Sequence, residues 1–478
     1  MAKYLSAVLL AVLLVSCDML QEFVALESDQ FWAIDFTKNA DSYYKVTAEL
    51  LAEGKHCVIW VEKGAGVTRA TAEKFAAEYD NNIRPKIAGA FGMTNITKES
   101  TAGGAASEYH FDDILDYANW LAGQTNRKLT VLLLDIKDGF KNPEKDSYTA
   151  GYFYSGNFGP RDSGNSNGLD MIYVDTYPGL KLAEAETYAT FAHELQHLIN
   201  YATTTLKRAR QMDTWIDEGL SSQAEHIYFG KNRESKCKWF IEDKHGTIAK
   251  GNNFFVWDNH PEVSMAILDE YATVYMFFRW LYLQAEDKGL QSDIFLDIVT
   301  SDLSDYRVIT NVAKNINPAW ADWDTLLRSW LAANYYPKNT VYGYKRDSYF
   351  QNNIKVKPLT NITSISLYPG EGVYSNINSA FTPPATGTYI RYAGLSIGNS
   401  SGITTLAPFS SNVLLTFNAN TNNSKSAGPE TGSLTGVSAG VSLPPDAQMS
   451  IEIIKTDPHT GPYLIDARDI SGILGRNK

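Results

Sequence analysis

Two histidines are spaced four residues apart in the segment His193-Glu194-Leu195-Gln196-His197. On an α-helix this spacing places both imidazoles on one face, close enough to bind the same metal ion. Imidazole nitrogens are common ligands of zinc in proteins. The Glu194 carboxylate follows the first histidine directly, so it can accept a proton from water on the metal without binding the metal itself. The motif therefore predicts a zinc site with Glu194 as general base.

A catalytic zinc site needs a third protein ligand and one open position. Glu218 comes 21 residues after His197, within residues 215–225 (WIDEGLSSQAE), which have the pattern of a second amphipathic helix. The loop between the two segments is long enough to reverse direction and bring Glu218 beside the histidines. Glu225 lies seven positions further along the same face. We therefore predict Glu218 as the third ligand and Glu225 as the carboxylate that hydrogen-bonds a ligand imidazole.

The order of these two motifs, HELQH and then WIDEGLSSQAE, resembles the gluzincin clan of zinc metallopeptidases, and within it the secreted hyicolysin-like peptidases. The resemblance covers residues from about 29 to 336. It implies a thermolysin-like catalytic domain, a zinc cofactor, and a protein or peptide as substrate. It also implies an edge strand that pairs with the substrate backbone, and residues 171–175 are the predicted edge strand.

A peptidase of this type also needs a donor that stabilises the negative charge on the attacked carbonyl oxygen. Tyr271 opens the run YATVYMFFRWL, which resembles the segment in which gluzincin aminopeptidases carry such a tyrosine, although the usual following Lys-Gly is missing here. His260 is the alternative, because thermolysin-like relatives use a histidine. Both residues also suit a structural role, since an aromatic-rich helix start is more often part of a core. Tyr271 is the preferred catalytic candidate.

The elements that must position these residues follow from hydrophobic periodicity. An N-terminal α/β part is predicted first, and a helical half of the catalytic domain follows it. After Lys345 the composition shifts to Ser, Thr, Asn and Gly with short alternating runs, which indicates a C-terminal β-sandwich-like domain. The fold class is therefore α+β. The predicted strands are 58–62, 129–135 and 171–175, and the predicted helices are 68–79, 182–201, 213–228, 271–283 and 320–334. A further helical stretch is predicted between about residue 31 and the strand at 58.

The chain begins with Lys3 and a short apolar run from Leu5 to Val15, which is too short to span a bilayer and is typical of an export signal. The residues that close the run, ending in Ser16 and Cys17, resemble the lipobox of bacterial lipoproteins. Cys17 is then the predicted lipid anchor in a bacterial cell envelope, and an ordinary cleaved signal is the alternative. The predicted organisation is a signal peptide at 1–16, a linker at 17–30, a zinc metallopeptidase domain at 31–345 and a β domain at 346–478.

Composition narrows the remaining classes of partner and site. The 478 residues carry a net charge of −12, so no overall basic surface is available for nucleic acid. Apart from Cys17, the cysteines are Cys57 and Cys237, and neither lies in a CxxC pair. A metal site built from cysteines is therefore not supported. A disulfide between these two residues stays open.

The function predicted from these patterns is a zinc-dependent endopeptidase that is exported and lipid-anchored. An aminopeptidase of the same clan is one alternative, although the chain lacks the GxMEN-type segment that would hold a substrate's free amine. The other alternative is a surface lipoprotein that binds envelope or host material and carries a metal site without hydrolytic activity. Bound zinc without hydrolysis would distinguish this second alternative from a peptidase.

Overall fold

The computed structural model describes residues 28–433, so the predicted signal peptide and Cys17 lie outside the described residues. Within this range no helix is long and apolar enough to cross a membrane. Residues left out inside it are 39–41, 93–127, 142–147, 159–160, 163, 207, 209, 252–253, 261–262, 264–265, 339–341, 361, 377–380, 382–388, 398–402 and 407–412.

The first part of the chain forms a six-stranded sheet in the order β1-β2-β3-β4-β6-β5. Strands β3, β4 and β6 are parallel to one another, whereas β1, β2 and β5 run antiparallel to their neighbours. All residues of β4 and β6 are buried, as expected for parallel strands covered on both faces. The strands are β1 (Ser28–Ile34), β2 (Tyr43–Glu53), β3 (Cys57–Glu62), β4 (Leu129–Leu134), β5 (Gly151–Phe153) and β6 (Met171–Asp175).

The prediction that residues 171–175 form the edge strand was wrong. Strand β6 pairs with β4 on one side and with β5 on the other, so it lies inside the sheet. The last strand on this side of the described sheet is β5. It is only three residues long, and its Gly-Tyr-Phe sequence has too little alternation to be recognised as a strand.

Helices cover the sheet and then form most of the chain up to residue 353. Five predicted helices correspond to α1, α3, α4, α6 and α9. The helical stretch predicted before residue 58 was wrong, because β1 and β2 lie there and pair with each other as antiparallel strands. The other five helices were not predicted individually. Helix α4 packs against both α3 and α6. The helices are α1 (Arg69–Glu78), α2 (Arg84–Phe91), α3 (Glu184–Asn200), α4 (Thr214–Phe229), α5 (Glu234–Glu242), α6 (Ile267–Glu286), α7 (Ile294–Thr300), α8 (Tyr306–Ile316), α9 (Trp323–Tyr335) and α10 (Ser348–Asn353).

The close packing of α4 on α6 depends on Gly219. A Cβ atom added to Gly219 would lie 2.2 Å from two ring carbons of Phe278, and that ring is fully buried. We expect Gly219→Ala to lower the free energy of unfolding by about 1–3 kcal/mol, because the helices must separate or the ring must leave its rotamer. Denaturant unfolding measures the effect.

Gly89 on α2 provides the matched control for this substitution. A Cβ atom there would meet nothing within 4 Å. Gly89→Ala should therefore raise stability by about 0.5–1 kcal/mol, the usual gain in helix propensity. If Gly219→Ala behaved in the same way, the contact with Phe278 would not limit the approach of the two helices.

The last described part of the chain is made of strands, which agrees with the predicted α+β class. An antiparallel sheet has the order β10-β9-β11-β8, and β12 pairs with β7. The predicted sandwich arrangement and the predicted boundary at residue 345 remain predictions. The strands are β7 (Ser364–Leu367), β8 (Gly372–Asn376), β9 (Ile390–Ile397), β10 (Ile403–Leu406), β11 (Val413–Asn418) and β12 (Glu430–Ser433).

These strands pack directly onto the helical half. The Tyr374 hydroxyl donates a hydrogen bond to the Leu331 carbonyl at 2.6 Å, and Arg391 forms an ion pair with Asp324 at 2.8 Å. Side chains of β8, β9 and β11, among them Phe417, belong to the same hydrophobic cluster as the helices. The helical half and this β part therefore share one continuous core.

Candidate active site

The two histidines reach the site on helix α3, which begins a few residues after β6. The buried Asp175 carboxylate at the end of β6 accepts hydrogen bonds from the backbone N–H groups of Gly179 at 2.7 Å and Ile136 at 3.2 Å. Burial raises the pKa of Asp175 to about 7, against the opposing effect of these two bonds. The first turn of α3 carries Glu184 and Glu186, which suit the positive end of the helix dipole.

Helices α3 and α4 bring the three predicted ligands together. Glu218 Oε2 lies 3.4 Å from His193 Nε2 and 3.5 Å from His197 Nε2. One ligand atom from each residue lies within 4.8 Å of the other two, and all three side chains are buried. In the part of the chain that the structure describes, this is the one such group of His, Cys, Asp and Glu residues.

The chemistry of this cluster fits a zinc ion. His193 Nε2 and both carboxylate oxygens of Glu218 are buried and have no hydrogen-bond partner among the described residues. Buried polar atoms rarely lack a partner, so these atoms are suited to bind a cation. Two imidazole nitrogens and one carboxylate form a donor set that catalytic zinc sites use, and this set leaves a fourth position for water or substrate.

The electrostatics of the cluster also favour a cation. Burial lowers the pKa of His193, but the carboxylates of Glu218 and Glu225 outweigh burial and raise it above its ordinary value. His197 behaves in the same way, with Asp217 and Glu218 raising its pKa. Burial raises the pKa of Glu218, but His197 and His193 lower it to about 2. Positive charge is therefore stabilised at this point even though the side chains are buried.

His193 is oriented from behind by Glu225. Glu225 Oε1 lies 2.9 Å from His193 Nδ1, which leaves Nε2 directed at the cluster. Lys236 Nζ donates to Glu225 Oε1 at 2.7 Å, and Arg233 Nε donates to Oε2 at 2.8 Å. Burial raises the pKa of Glu225, but Lys236 and then Arg233 lower it far below its usual range, so the carboxylate stays ionised.

His197 is oriented by residues that the sequence analysis missed. Asp217 Oδ1 lies 3.1 Å from His197 Nδ1, and Ser221 Oγ lies 3.0 Å from the same nitrogen. Asn200 Nδ2 donates to Asp217 Oδ1 at 2.5 Å. Asp217 and Ser221 are four residues apart on α4, on either side of Glu218. This spacing places both side chains on one face of α4, so the sequence could have indicated that both face α3.

The side chain of Glu194 reaches from helix α3 to the edge strand β5. Its Oε2 accepts a hydrogen bond from the backbone N–H of Phe153 at 2.9 Å. The approach of α3 to β5 requires the glycine at 151, since a Cβ atom there would lie 2.9 Å from Thr190 Cγ2 and 2.8 Å from the Tyr173 carbonyl oxygen. The Glu194 carboxylate is thus held at the edge of the sheet, and Glu194 directly follows His193 on α3.

Tyr271 and His260 lie in two different surroundings. Tyr271 is buried on α6, where its ring packs edge-to-face against Trp257 with 5.0 Å between ring centroids. His260 Nε2 lies 3.1 Å from Glu371 Oε1, at the contact with the β part. The catalytic role of Tyr271 remains a prediction. The thiols of Cys57 and Cys237 are both free and buried, so the two residues do not form a disulfide.

Lys236 should be important for stability because it neutralises a buried carboxylate. Its ammonium contacts Glu225 Oε1 at 2.7 Å, and both side chains are almost fully buried. We expect Lys236→Met to lower the free energy of unfolding by about 3 kcal/mol, because Glu225 then keeps a buried charge with one cation fewer. Denaturant unfolding of the two proteins tests this.

Lys238 on the same helix provides a matched control. Its side chain is 62% exposed and pairs with Glu242 at 3.6 Å near the surface. Lys238→Met should change the free energy of unfolding by no more than about 0.5 kcal/mol. Equal effects of the two substitutions would mean that the pairing of Lys236 with Glu225 is not a major source of stability.

Comparison with known proteins supports the class that this site defines. No protein-family model matches the chain. The chain is similar to the neutral metalloprotease ShpI of Staphylococcus hyicus, with 28% identity over 285 residues, or 57% of this chain and 55% of that protein. The chain thus spans about half the length of that relative. Together with the His193, His197 and Glu218 cluster, this similarity supports a metallopeptidase.

Proposed function

We propose that this protein is a zinc endopeptidase of the gluzincin clan, of the hyicolysin-like type. The observation that carries the proposal is the buried cluster of His193, His197 and Glu218, whose ligand atoms lie close together. Among these atoms, His193 Nε2 and the carboxylate oxygens of Glu218 have no hydrogen-bond partner among the described residues. The similarity to a neutral metalloprotease supports the same class. The general base Glu194 is adjacent to the first ligand in sequence.

The proposed chemistry divides the work between the metal and the chain. When bound, zinc supplies a Lewis acid that polarises the peptide carbonyl and makes the attacking water more acidic. Glu194 accepts the proton of that water and then delivers it to the leaving nitrogen. The Phe153 N–H fixes one oxygen of Glu194, so the carboxylate is already oriented. Tyr271 is the proposed donor to the carbonyl oxygen in the transition state.

Strand β5 offers a place for the substrate backbone. The backbone N–H of Asp175 donates a hydrogen bond to the Ala150 carbonyl. Backbone direction alternates along an antiparallel pair, so the N–H and C=O groups of Tyr152 point toward β6, whereas those of Gly151 and Phe153 point away from β6. The Phe153 N–H that reaches Glu194 is one of these outward groups. An extended peptide that adds a strand here would lie beside the general base. Such pairing needs no free amine, which favours an endopeptidase over an aminopeptidase.

Attachment to a bacterial cell envelope is part of the proposal and rests on the sequence of the first 17 residues. Lipidation of Cys17 after cleavage of the signal would hold the enzyme at a membrane surface. In a bacterial host, the protein should incorporate labelled palmitate, and Cys17→Ala should abolish the incorporation. Labelling that persists in Cys17→Ala would exclude this residue as the anchor.

The function is tested with purified protein from which the first 16 residues are absent. Elemental analysis should find about one zinc per chain, and a quenched protein substrate should be cleaved until a zinc chelator is added. Restoring zinc should restore cleavage. Bound zinc without cleavage of any protein substrate would favour the non-hydrolytic surface protein, and absence of zinc would contradict the proposed site.

A further inference from the structure

A cavity of about 290 Å³ lies at the start of helix α4, and none of the three predicted zinc ligands is among the residues that line it. We call it the α4 cavity. Its volume is at the lower end of the range of ligand pockets, roughly 300–1,000 Å³, so it suits a small molecule or one unit of a polymer. Its walls come from the start of α4, the loop before α6 and the loop after β11, and they include Asp213, Trp215, Phe255, Trp257 and Asn423.

Asp213 presents a carboxylate that does not cap its own helix. It is the N-cap residue of α4, where an aspartate usually accepts a hydrogen bond from the first turn, but its side chain makes no such bond. Its Oδ2 instead accepts a hydrogen bond from Asn423 Nδ2 at 2.7 Å. Burial and the neighbouring Asp305 raise the pKa of Asp213 to about 6, against the opposing effect of Trp215 and Asn423. At pH 8 the carboxylate is therefore ionised and acts only as an acceptor.

Two indole N–H groups belong to the wall of the same cavity. Trp215 Nε1 and Trp257 Nε1 are buried, and neither has a hydrogen-bond partner among the described residues. Trp215 is only 1% exposed, and its ring packs against Phe255 and Trp323, so its position is fixed. It lies near the Asp213 carboxylate without meeting it at normal hydrogen-bond geometry. Buried donors rarely lack a partner, so these two are suited to a ligand that brings acceptors.

Trp257 also gives the cavity an apolar surface that is held in place. Its ring is partly exposed and packs edge-to-face against Tyr271, with 5.0 Å between ring centroids. The loop after β11 is fixed on both sides of this ring. Asn423 bonds to Asp213, and Lys425 Nζ pairs with Asp258, the residue after Trp257, at 3.0 Å. The cavity thus combines a positioned ring with fixed donors and a fixed acceptor.

We propose that the α4 cavity binds one sugar unit of a glycan. A cation would suit Asp213 but would leave the two indole N–H groups without acceptors. An anion would suit the indole groups but would be repelled by the carboxylate. A hydroxyl group both donates and accepts, so adjacent hydroxyls of one sugar can bond to Asp213, Trp215 and Trp257 together. The C–H groups of the sugar ring would then contact the exposed part of the Trp257 ring.

Binding is tested by saturation-transfer NMR at pH 8 on the purified chain that lacks its first 16 residues. The probes are glucose, galactose, mannose and N-acetylglucosamine, with choline as the cation and acetate as the anion. A single sugar unit makes few contacts, so the best of the four should bind with a Kd on the order of 1 mM. Choline and acetate should not bind. This measurement needs no peptidase activity, so it does not depend on the proposed function.

Two conservative substitutions should weaken sugar binding. Asp213→Asn keeps an oxygen for Asn423 but loses the charge, and Trp257→Phe keeps a ring but loses the N–H group. Each should raise the Kd of the best sugar by about 5- to 30-fold, the effect of losing one hydrogen bond to a charged or buried group. Asp302→Asn is one control, since Asp302 is 88% exposed. Trp32→Phe is the other, since Trp32 lies on β1.

The sugar could belong to a glycosylated protein substrate or to a polysaccharide of the cell surface, and a second experiment distinguishes them. It compares kcat/KM for one protein substrate with and without its glycans. A preference for the glycosylated form that falls in Trp257→Phe would assign the cavity to the substrate. An equal rate for both forms, with co-sedimentation on purified bacterial cell walls that the best free sugar prevents, would assign it to the envelope.

The outcomes of the NMR measurement decide the inference. Binding of a sugar that is weakened in both variants and unchanged in both controls would support it. Binding of none of the four sugars would overturn it, as would sugar binding that persists in Asp213→Asn and Trp257→Phe, or binding of choline or acetate in place of a sugar. Thermal unfolding of each variant shows whether a loss of binding arises from damage to the fold. Absence of peptide cleavage would contradict the proposed function and leave the NMR result unchanged.

Discussion

Glu194→Gln is expected to keep its zinc and to lose roughly 10²- to 10⁴-fold in kcat, the usual contribution of a general base. The substituted side chain has nearly the same shape, and its carbonyl oxygen can still accept the hydrogen bond from the Phe153 N–H. It does not bind the metal in the proposed arrangement, so the three ligands are left unchanged. An amide cannot accept the proton of the attacking water.

The experiment measures zinc content and peptide cleavage on the same preparations. Glu184→Gln is a matched control, because Glu184 lies on the same helix but forms a surface ion pair with Lys74 at 2.6 Å. This variant should keep both its zinc and its activity. Full activity in Glu194→Gln would exclude Glu194 as the base. Loss of zinc in that variant would instead indicate that Glu194 is a ligand.

The part of the site that could be predicted from sequence is the part fixed by helix geometry. Residues that are four apart on an α-helix share a face, so the proximity of His193 and His197 can be predicted without knowing the rest of the fold. The position of Glu218 followed from the order of two motifs and from one reversal of the chain. The cations behind Glu225 were not predictable in this way, because Lys236 belongs to α5, which was not recognised, and it approaches Glu225 only through tertiary packing.

The sheet shows a different limit. Periodicity identified residues 171–175 as a strand, and the structure has a strand there. Whether a strand lies inside a sheet or at its edge depends on which strands pair, and pairing between distant segments leaves no periodic signal in either one. Strand β5 has three residues and pairs over its full length with β6. So short a segment becomes a strand through its partner rather than through its own propensity.

The C-terminal part shows the same difference between local and tertiary information. The change in composition after Lys345 predicted strands, and strands are present from Ser364 onwards. Composition gives no indication of what a strand packs against. Tyr374 and Phe417 lie in one core with the helical half, and the bond from Tyr374 to the Leu331 carbonyl links the two parts.

Glu218→Ala is expected to lose zinc itself, in contrast to Glu194→Gln. Glu218 Oε2 is within 3.5 Å of both imidazole Nε2 atoms, so its removal takes away one of three protein ligands and the negative charge among them. Replacing a residue that only supports a ligand commonly weakens metal binding by about 10- to 100-fold. Loss of a direct ligand should therefore exceed about 100-fold in zinc affinity, measured by competition with a chelator.

Glu225→Gln is the graded control, because it keeps all three ligands and changes only the support of His193. It should fall between the wild type and Glu218→Ala in zinc affinity. The order of zinc affinity among the wild type, Glu225→Gln and Glu218→Ala then distinguishes the roles of the two buried carboxylates that contact His193. Zinc affinity in Glu218→Ala equal to that of the wild type would mean that the two histidines find their third ligand elsewhere. In that case the unpaired oxygens of Glu218 would need another explanation.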